Sequence, residues 1–280
     1  MMIRAFVTGW PVKHSRSPLI HNHWLAQHGI EGRYEKRPCE PDDFTSFISN
    51  FQNEGFVGGN VTLPFKERTF GLADEVDDVA VAIGAANTVW HENGKVHATN
   101  TDVFGFLTNL DQQVSGWDAP GKQSRGALVL GAGGASRAII YGLLERGFDN
   151  IVIANRTVSK AQILARTFGQ KCLAVDISAL SEENLETALI VNTTSVGMGD
   201  GQLPIDPTRF ADDTVINDIV YTPLMTPLLT TAKEAGMPIA DGLGMLLHQA
   251  VPGFERWFDI RPEVTDELRN IVLADLGESR

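Results

Sequence analysis

A strand that ends in a glycine-rich loop constrains this chain more than any other feature of its sequence. The apolar run 127–130 leads directly into Gly131-Ala132-Gly133-Gly134-Ala135-Ser136, and an apolar helical pattern follows. In that context Gly131 permits a tight turn, Gly133 lets the backbone approach an anion, and the helix N-terminus offers unpaired N–H groups. Ser136 replaces the third glycine of the pattern but is small enough for close packing of the helix on the strand. The loop predicts a pyrophosphate-binding turn, with a plain turn as the alternative.

Strands and helices alternate on both sides of this loop. The sequence predicts strands at 3–7, 33–37, 56–61, 127–130, 151–154, 189–192 and 214–218, and a hairpin at 85–98 around an Asn-Gly pair. The predicted helices are 18–27, 42–53, 103–114, 135–146, 159–168, 245–258 and 262–276. Ser17 is the expected N-cap of the first helix, and 115–125 has the composition of a linker or long loop. The pattern indicates an α/β fold with a parallel sheet.

Length and composition indicate two domains and limit the partners. A chain of 280 residues exceeds the usual size of one domain, so we expect domains at 1–102 and 103–244, and the helices within 245–280 could pack back on the first. A net charge of −12 disfavours nucleic acid and anionic membranes, so any bound phosphate needs a local cationic cluster. No export signal or membrane-length apolar run is visible, which predicts a cytoplasmic protein.

The cysteines and histidines do not form a metal-binding pattern. Cys39 and Cys172 lie far apart in the sequence, so we expect two reduced thiols rather than a disulfide. His21 and His23 are two residues apart on a predicted helix and therefore point to different faces. We expect no metal.

The end of the second strand after the boundary indicates which nucleotide is bound. It continues into Asn155-Arg156-Thr157, with Lys160 one turn into the next helix. A carboxylate at this position would accept from a ribose 2′-hydroxyl, whereas Arg156 suits a 2′-phosphate. The sequence therefore favours NADP over NAD. The alternative is a solvated helix start, although cations there oppose the helix dipole.

Polar residues also follow the strands of the first domain. They occur in the segments 14–18, 59–66, 84–89 and 100–105, which supply hydroxyls, an amide, the Lys66 ammonium and the Asp102 carboxylate. Because ligands bind at the carboxyl edge of open α/β sheets, these groups predict a site for a small polyol acid.

Seven motifs in order resemble the shikimate dehydrogenase family over essentially the whole chain. They are Ser-x-Ser-Pro at 15–18, Asn-Val-Thr-x-Pro-x-Lys at 60–66, Gly-Ala-x-Asn-Thr at 84–88, Asn-Thr-Asp-x-x-Gly at 100–105, Gly-Ala-Gly-Gly-Ala at 131–135, Asn-Arg-Thr at 155–157, and Asp-Gly-Leu-Gly-Met at 241–245 with Gln249-Ala250. The resemblance implies an α/β fold in which an N-terminal α/β substrate-binding domain joins a Rossmann-type NADP-binding domain, with the active site in the interdomain cleft. It also implies an NADP-dependent oxidoreductase acting on a CH–OH group, which reversibly reduces 3-dehydroshikimate to shikimate in aromatic amino acid (chorismate) biosynthesis, as a monomer or homodimer.

The same resemblance assigns roles to individual residues. Lys66 and Asp102 would handle the proton at the reacting oxygen, an arrangement that a hydride addition to a carbonyl requires. Ser15, Ser17 and Tyr221 would receive the substrate carboxylate, and Thr62, Asn87 and Gln249 would bond ring hydroxyls. The expected NADP-binding residues are Gly131, Gly133, Gly134, Ala135, Asn155, Arg156, Thr157, Lys160, Thr193, Ser195, Met198, Ile219, Gly242 and Met245.

Each assignment has a structural alternative at this stage. Capping or turn formation would explain the single hydroxyls and amides, a surface position would explain Lys66, and a helix N-cap would explain Asp102. The resemblance places six of the NADP-binding residues on the nicotinamide side, and packing or turn formation is the alternative for each: Thr193, Ser195, Met198, Ile219, Gly242 and Met245. For the whole protein the alternatives are a quinate/shikimate dehydrogenase paralogue with broader substrate or NAD use, and a non-catalytic metabolite-binding relative.

Overall fold

The computed structural model describes residues 2–181, 186–196 and 205–277, which form two compact units. The first unit combines the chain up to Asp102 with the chain from Leu247 onward, and the second spans Val103–Leu246. The strands of the described residues are β1 (Ile3–Thr8), β2 (Gly32–Lys36), β3 (Gly58–Val61), β4 (Glu75–Val76), β5 (Thr88–Glu92), β6 (Lys95–Thr99), β7 (Ala127–Leu130), β8 (Ile151–Asn155), β9 (Cys172–Asp176), β10 (Leu189–Asn192), β11 (Val215–Asp218) and β12 (Ile239–Ala240). The α-helices of these residues are α1 (Ser17–Gln27), α2 (Phe44–Asn50), α3 (Lys66–Leu72), α4 (Asp78–Ile83), α5 (Asp102–Gln113), α6 (Pro120–Arg125), α7 (Gly134–Glu145), α8 (Val158–Phe168), α9 (Pro227–Glu234), α10 (Leu243–His248), α11 (Ala250–Phe258) and α12 (Asp266–Leu276).

The first unit contains a mixed sheet in the order β2-β1-β3-β5-β6-β4. β5 runs antiparallel to both of its neighbours, whereas the other pairs are parallel. The hairpin between β5 and β6 turns at Asn93 and Gly94, which both have positive φ, as the Asn-Gly pair predicts. The carboxyl ends of β1, β3 and β6 therefore share one edge of the sheet with the amino end of β5.

Aromatic side chains fill the core of the first unit on both faces of its sheet. One cluster consists largely of six phenylalanines: Phe6, Phe44, Phe47, Phe51, Phe56 and Phe65. On the other side α11 packs against α1 and the sheet, where the Trp257 indole donates to the Val89 carbonyl at 3.0 Å. The Trp24 indole donates to the Glu263 carbonyl in the segment before α12. The last two helices are thus part of this unit.

The second unit contains a parallel sheet in the order β12-β11-β10-β7-β8-β9. This is the strand order of a Rossmann fold. The chain adds β8 and β9 on one side of β7 and then returns to add β10, β11 and β12 on the other side, so the switch point of the sheet lies between β7 and β10. Separate apolar clusters cover the sheet, one around Val129, Ile139 and Ile153 and the other around Leu128, Ile190 and Leu229. Burial on both faces accounts for the continuous apolar runs of these strands.

Three predictions of local structure were wrong. Residues 120–125, expected in a linker, form α6, which Arg125 anchors through a two-bond contact with Asp213. The single helix expected over 245–258 is divided into α10 and α11, because Pro252 cannot donate to the carbonyl of His248. Ser17 is the first residue of α1 rather than its N-cap, and no side chain caps that helix.

Candidate active site

A lysine and an aspartate form an ion pair at the edge of the first unit's sheet. Lys66 opens α3 just beyond β3, and Asp102 opens α5 just beyond β6. Lys66 Nζ donates to Asp102 Oδ2 at 2.5 Å, and the two side chains are 17% and 8% exposed. Asp102 is the first residue of α5, and the Asn100 side chain accepts from the Asp102 N–H at 3.0 Å. A surface position therefore does not describe Lys66, which is largely buried and paired with a carboxylate.

Asn87 fixes the second oxygen of the carboxylate. Its Nδ2 donates to Asp102 Oδ1 at 2.8 Å, so the two carboxylate oxygens face different donors. Its Oδ1 accepts from the Thr101 N–H at 2.8 Å and from the Thr88 hydroxyl at 2.9 Å. These bonds hold the amide of Asn87 in one orientation, because a flipped amide would oppose donor to donor.

Sequence reasoning did not find the next layer of this network. Asn60, in β3, donates to the Thr88 hydroxyl at 3.0 Å and accepts from the buried Tyr34 hydroxyl at 2.6 Å. Burial raises the pKa of the Tyr34 phenol well above its usual value. An asparagine within a buried four-residue strand is the signal that could have indicated this role.

The two serines of the first loop lie together. Ser15 Oγ donates to Ser17 Oγ at 3.2 Å, and the Ser17 N–H donates to Ser15 Oγ at 3.3 Å. Ser15 is half-buried and Ser17 is buried. The neighbouring Arg16 donates to Asp275 of α12 at 2.7 Å, which ties this loop to the C-terminal helix.

The other expected substrate-binding residues are Thr62, Gln249 and Tyr221. Thr62 directly follows β3 and is half-buried, and its N–H donates to the Thr8 carbonyl at 2.9 Å. Gln249 belongs to the first unit and is buried at the start of α11. Tyr221 is a half-buried residue of the second unit, after β11.

The glycine loop of the second unit forms a cradle at the switch point of the sheet. Gly131 has φ +109°, and a Cβ there would lie 2.6 Å from Thr193 Oγ1. A Cβ at Gly133 or Gly134 would meet no described atom within 4 Å. Ser136 is buried, accepts from the Gly133 N–H at 3.0 Å and lies 2.7 Å from Thr193 Oγ1. Ser136 and Thr193 thus hold one side of the loop, whereas the side at Gly133 and Gly134 is open. Ala135 lies in the first turn of α7. This geometry fits a pyrophosphate on the helix N-terminus.

Two cations lie near the end of β8: Arg156 directly follows the strand, and Lys160 is in the first turn of α8. Arg156 and Lys160 are both exposed, and no ion pair joins either side chain to a described residue. The Asn155 side chain donates to the Thr157 carbonyl at 2.9 Å and shapes the turn between β8 and α8. This part of the site contains the cationic groups that a 2′-phosphate requires.

The residues expected beside the nicotinamide follow the remaining strands of the second unit. Thr193 and Ser195 follow β10, and Ile219 follows β11. Gly242 approaches the Ile219 carbonyl so closely that a Cβ would lie 2.4 Å from it. Met245 is 9% exposed and contributes to the core cluster, so packing accounts for at least part of its role. Met198 lies outside the described residues.

The described residues contain no group of three side chains suited to a metal ion. Both cysteines are free thiols. No described helix has the length and apolar character needed to cross a bilayer.

Comparisons with known proteins identify the family. Family models match the shikimate dehydrogenase substrate-binding domain at residues 7–89, shikimate/quinate 5-dehydrogenase at 118–197 and the shikimate 5′-dehydrogenase C-terminal domain at 242–269. The shikimate dehydrogenase (NADP(+)) of Azorhizobium caulinodans is 50% identical over 99% of this chain and 98% of its own.

Solved structures agree with this match. The shikimate 5-dehydrogenase of Thermus thermophilus, in complex with NADP(H) and shikimate, has a TM-score of 0.84 and 34% identity, and covers 98% of this chain and 100% of its own. The quinate dehydrogenase of Corynebacterium glutamicum, in complex with NAD, has a TM-score of 0.88 and 28% identity, and the match covers 98% of this chain and 99% of its own. The chain therefore belongs to the shikimate dehydrogenase family.

Proposed function

We propose that this protein catalyses the reversible NADPH-dependent reduction of 3-dehydroshikimate to shikimate, a step of aromatic amino acid and chorismate biosynthesis. The observation that carries the proposal is the Lys66–Asp102 pair, which combines an ammonium and a carboxylate at 2.5 Å with surrounding hydroxyls and amides. It occurs in a chain that is 50% identical over nearly its full length to a shikimate dehydrogenase (NADP(+)).

Lys66 and Asp102 handle the proton of this reaction. Bound NADPH would supply the hydride for the carbonyl carbon of the substrate. Lys66 Nζ donates a proton to the carbonyl oxygen, so that a C–OH group forms and no alkoxide accumulates. Asp102 orients the ammonium, and Asn87 orients Asp102. In the direction of shikimate oxidation the same nitrogen takes the proton back.

Hydroxyl and amide groups recognise the rest of the ring. Ser15 and Ser17 bind the substrate carboxylate through two neighbouring hydroxyls, together with Tyr221. Thr62, Asn87 and Gln249 bond the ring hydroxyls, for which Asn87 has one amide hydrogen beyond its bond to Asp102.

The second unit holds NADP through its backbone and two cations. Gly131, Gly133, Gly134 and the first turn of α7 bind the pyrophosphate, and Arg156 with Lys160 binds the 2′-phosphate. Two exposed cations at the end of β8 favour NADP over NAD, because a 2′-hydroxyl offers them no charge to pair with.

A dehydrogenase assay tests the proposal and its nearest competitor. Reduction of the nicotinamide at 340 nm is followed with shikimate or quinate as the reductant and NADP or NAD as the acceptor. We expect turnover with shikimate and NADP, and much slower turnover with the other three pairs. Strong turnover with quinate or NAD would assign the protein to the broader paralogue, and no turnover with any pair would indicate a metabolite-binding relative.

Replacement of Lys66 tests the proton step separately. Lys66→Met keeps the aliphatic chain but removes the ammonium, and we expect kcat to fall at least about 100-fold while shikimate still binds. Lys95→Met is the matched control, since Lys95 pairs with Glu75 on the surface. A Lys66→Met protein with kcat close to wild type would exclude Lys66 as the proton donor.

The protein is further proposed to work in the cytoplasm, where its two free thiols would stay reduced. It would act as a monomer or a homodimer, which analytical ultracentrifugation distinguishes.

A further inference from the structure

Two polar residues end neighbouring strands in the middle of the second unit's apolar sheet. Asn192 is the last residue of β10 and Asp218 is the last residue of β11, and the two are direct partners across the sheet. Both are completely buried. Asn192 Nδ2 donates to Asp218 Oδ1 at 2.9 Å. A buried carboxylate lowers the stability of the fold unless hydrogen-bond donors satisfy it. The donors that Asp218 binds therefore indicate its role.

Asp218 fixes the chain that follows β11. Its Oδ1 also accepts from the Val220 N–H at 3.0 Å, and its Oδ2 accepts from the Thr226 hydroxyl at 2.8 Å. Thr226 in turn caps α9 by accepting from the Leu229 N–H. Burial raises the pKa of the Asp218 carboxyl, and these three donors oppose that shift. The segment that contains Ile219 is thus held at both ends by one carboxylate.

Asn192 fixes the chain that follows β10 in the same way. Its Oδ1 accepts from the Thr194 N–H at 3.0 Å and from the Thr194 hydroxyl at 2.8 Å. Its Nδ2 donates to the Val196 carbonyl at 3.1 Å in addition to Asp218. The segment 193–196 is therefore wrapped around this one amide.

The position of these segments in the sheet gives them a function. In a Rossmann fold the strands on one side of the switch point serve one half of the dinucleotide, and the strands on the other side serve the second half. The glycine loop and the cations of the adenosine half follow β7 and β8, so β10 and β11 serve the nicotinamide half. Thr193 also lies against Gly131, which couples the two halves at the switch point.

We propose that Asn192 and Asp218 are a positioning pair for hydride transfer, which acts by fixing the segments after β10 and β11 where they hold the nicotinamide half of NADP. The inference rests on the proposed function, since it concerns the cofactor of that reaction. The pair does not touch the reacting atoms. It sets the geometry of the groups that do, so its loss would affect the nicotinamide and spare the adenosine half.

Two ligands separate this role from a general contribution to folding. NADP reports both halves of the site, whereas adenosine 2′,5′-bisphosphate reports the adenosine half alone. Asp218→Asn replaces a carboxylate that accepts three bonds with an amide that has a single acceptor oxygen. Thr226→Val removes one of the three donors and is the milder variant. Thr214→Val is the matched control, because Thr214 is equally buried and its hydroxyl donates to the Thr187 carbonyl at the opposite end of the strands.

Dissociation constants come from calorimetry, kcat and KM from the shikimate assay, and the melting temperature from scanning calorimetry. For Asp218→Asn we expect NADP binding weakened about tenfold and kcat lowered about tenfold, as loss of charge-assisted hydrogen bonds implies. Binding of the bisphosphate and the KM for shikimate should stay within about twofold of wild type. Thr226→Val should show the same selectivity with smaller changes, and Thr214→Val should lower only the melting temperature.

Parallel weakening of NADP and bisphosphate binding would reduce the pair to a structural role and overturn the proposal. Unchanged NADP affinity and kcat in a folded variant would overturn it as well. If Asp218→Asn does not fold, the comparison of Thr226→Val with Thr214→Val distinguishes a selective loss of NADP binding from a parallel loss of NADP and bisphosphate binding. Failure of the wild-type protein to turn over shikimate with NADP would instead refute the proposed function.

Discussion

The histidine buried beneath the Asn60 network predicts a strong acid dependence of stability. His21 is completely buried and stacks on the Tyr34 ring at 4.0 Å and the Phe254 ring at 5.9 Å. Neither of its nitrogens has a hydrogen-bond partner among the described residues. Asn60, the polar side chain that faces the ring, is already bonded to Tyr34 and to the loop before β5. Burial therefore lowers the pKa of His21 from 6.5 to about 3, and Asn60 opposes the shift only partly.

The magnitude follows from linkage between protonation and folding. The unfolded chain binds a proton at His21 below pH 6.5, whereas the folded protein does not until about pH 3. Stability is thus lost as the pH falls through this window, at about 1.4 kcal/mol per pH unit. Between pH 7 and pH 4.5 the expected loss from His21 is about 2.5 kcal/mol.

His21→Phe should abolish this loss, because a phenyl ring keeps the stack and cannot be protonated. The free energy of unfolding is measured in urea at pH 7 and pH 4.5 by tryptophan fluorescence, and four of the five tryptophans belong to the first unit. Wild type should lose about 2.5 kcal/mol more than the variant. Burial lowers the pKa of His248 to about 4, but His248 is present in both proteins, so its contribution cancels in the difference between them. Exposed His28 provides the control variant His28→Gln. Equal losses in wild type and His21→Phe, within about 0.5 kcal/mol, would refute the reasoning.

Two further predictions concern cofactor choice and packing. Arg156→Gln should raise the KM for NADP about 30-fold or more and leave the KM for NAD nearly unchanged, because two charge-assisted bonds to the 2′-phosphate are lost. Arg166→Gln, at an exposed arginine in the last turn of α8, should change neither KM, and equal effects of the two variants on NADP would contradict the assignment. Gly58→Ala should destabilise the first unit by about 3 kcal/mol in urea, because its Cβ would lie 2.3 Å from the Trp257 indole nitrogen and from a backbone carbonyl. Gly71→Ala, with open space in a helix, should be neutral or stabilising, and a Gly58→Ala protein as stable as wild type would show that the sheet shifts to accept the methyl group.

Local signals determined the fold class. The glycine loop after a strand, the alternating periodicities and the ordered motifs predicted an α/β fold with a Rossmann-type NADP-binding part and membership of the shikimate dehydrogenase family. The family, the cofactor and the fold class are confirmed by the comparisons. These features were readable because each depends on residues that are close in sequence. The roles of the single site residues and the functional boundaries of the domains stay predictions.

Elements whose existence depends on distant partners were missed. The two-residue strands β4 and β12 have no periodicity of their own, and they form because β6 and β11 offer them an edge. α6 was taken for a linker because its anchor, Asp213, lies almost ninety residues away. The break between α10 and α11 could have been read from Pro252, since that rule is local.

The sequence by itself determined which chemical groups are present at the sheet edges, because strand ends and loops can be located from local patterns. Only the tertiary structure decided how those groups are bonded. The bond of 2.5 Å between Lys66 and Asp102 is a tertiary contact, and Asn192 and Asp218, which the sequence marks only as strand ends, are direct partners across the sheet. Hydrogen bonds between residues 26 or 36 positions apart depend on strand order and register, and no local pattern in a single chain encodes these.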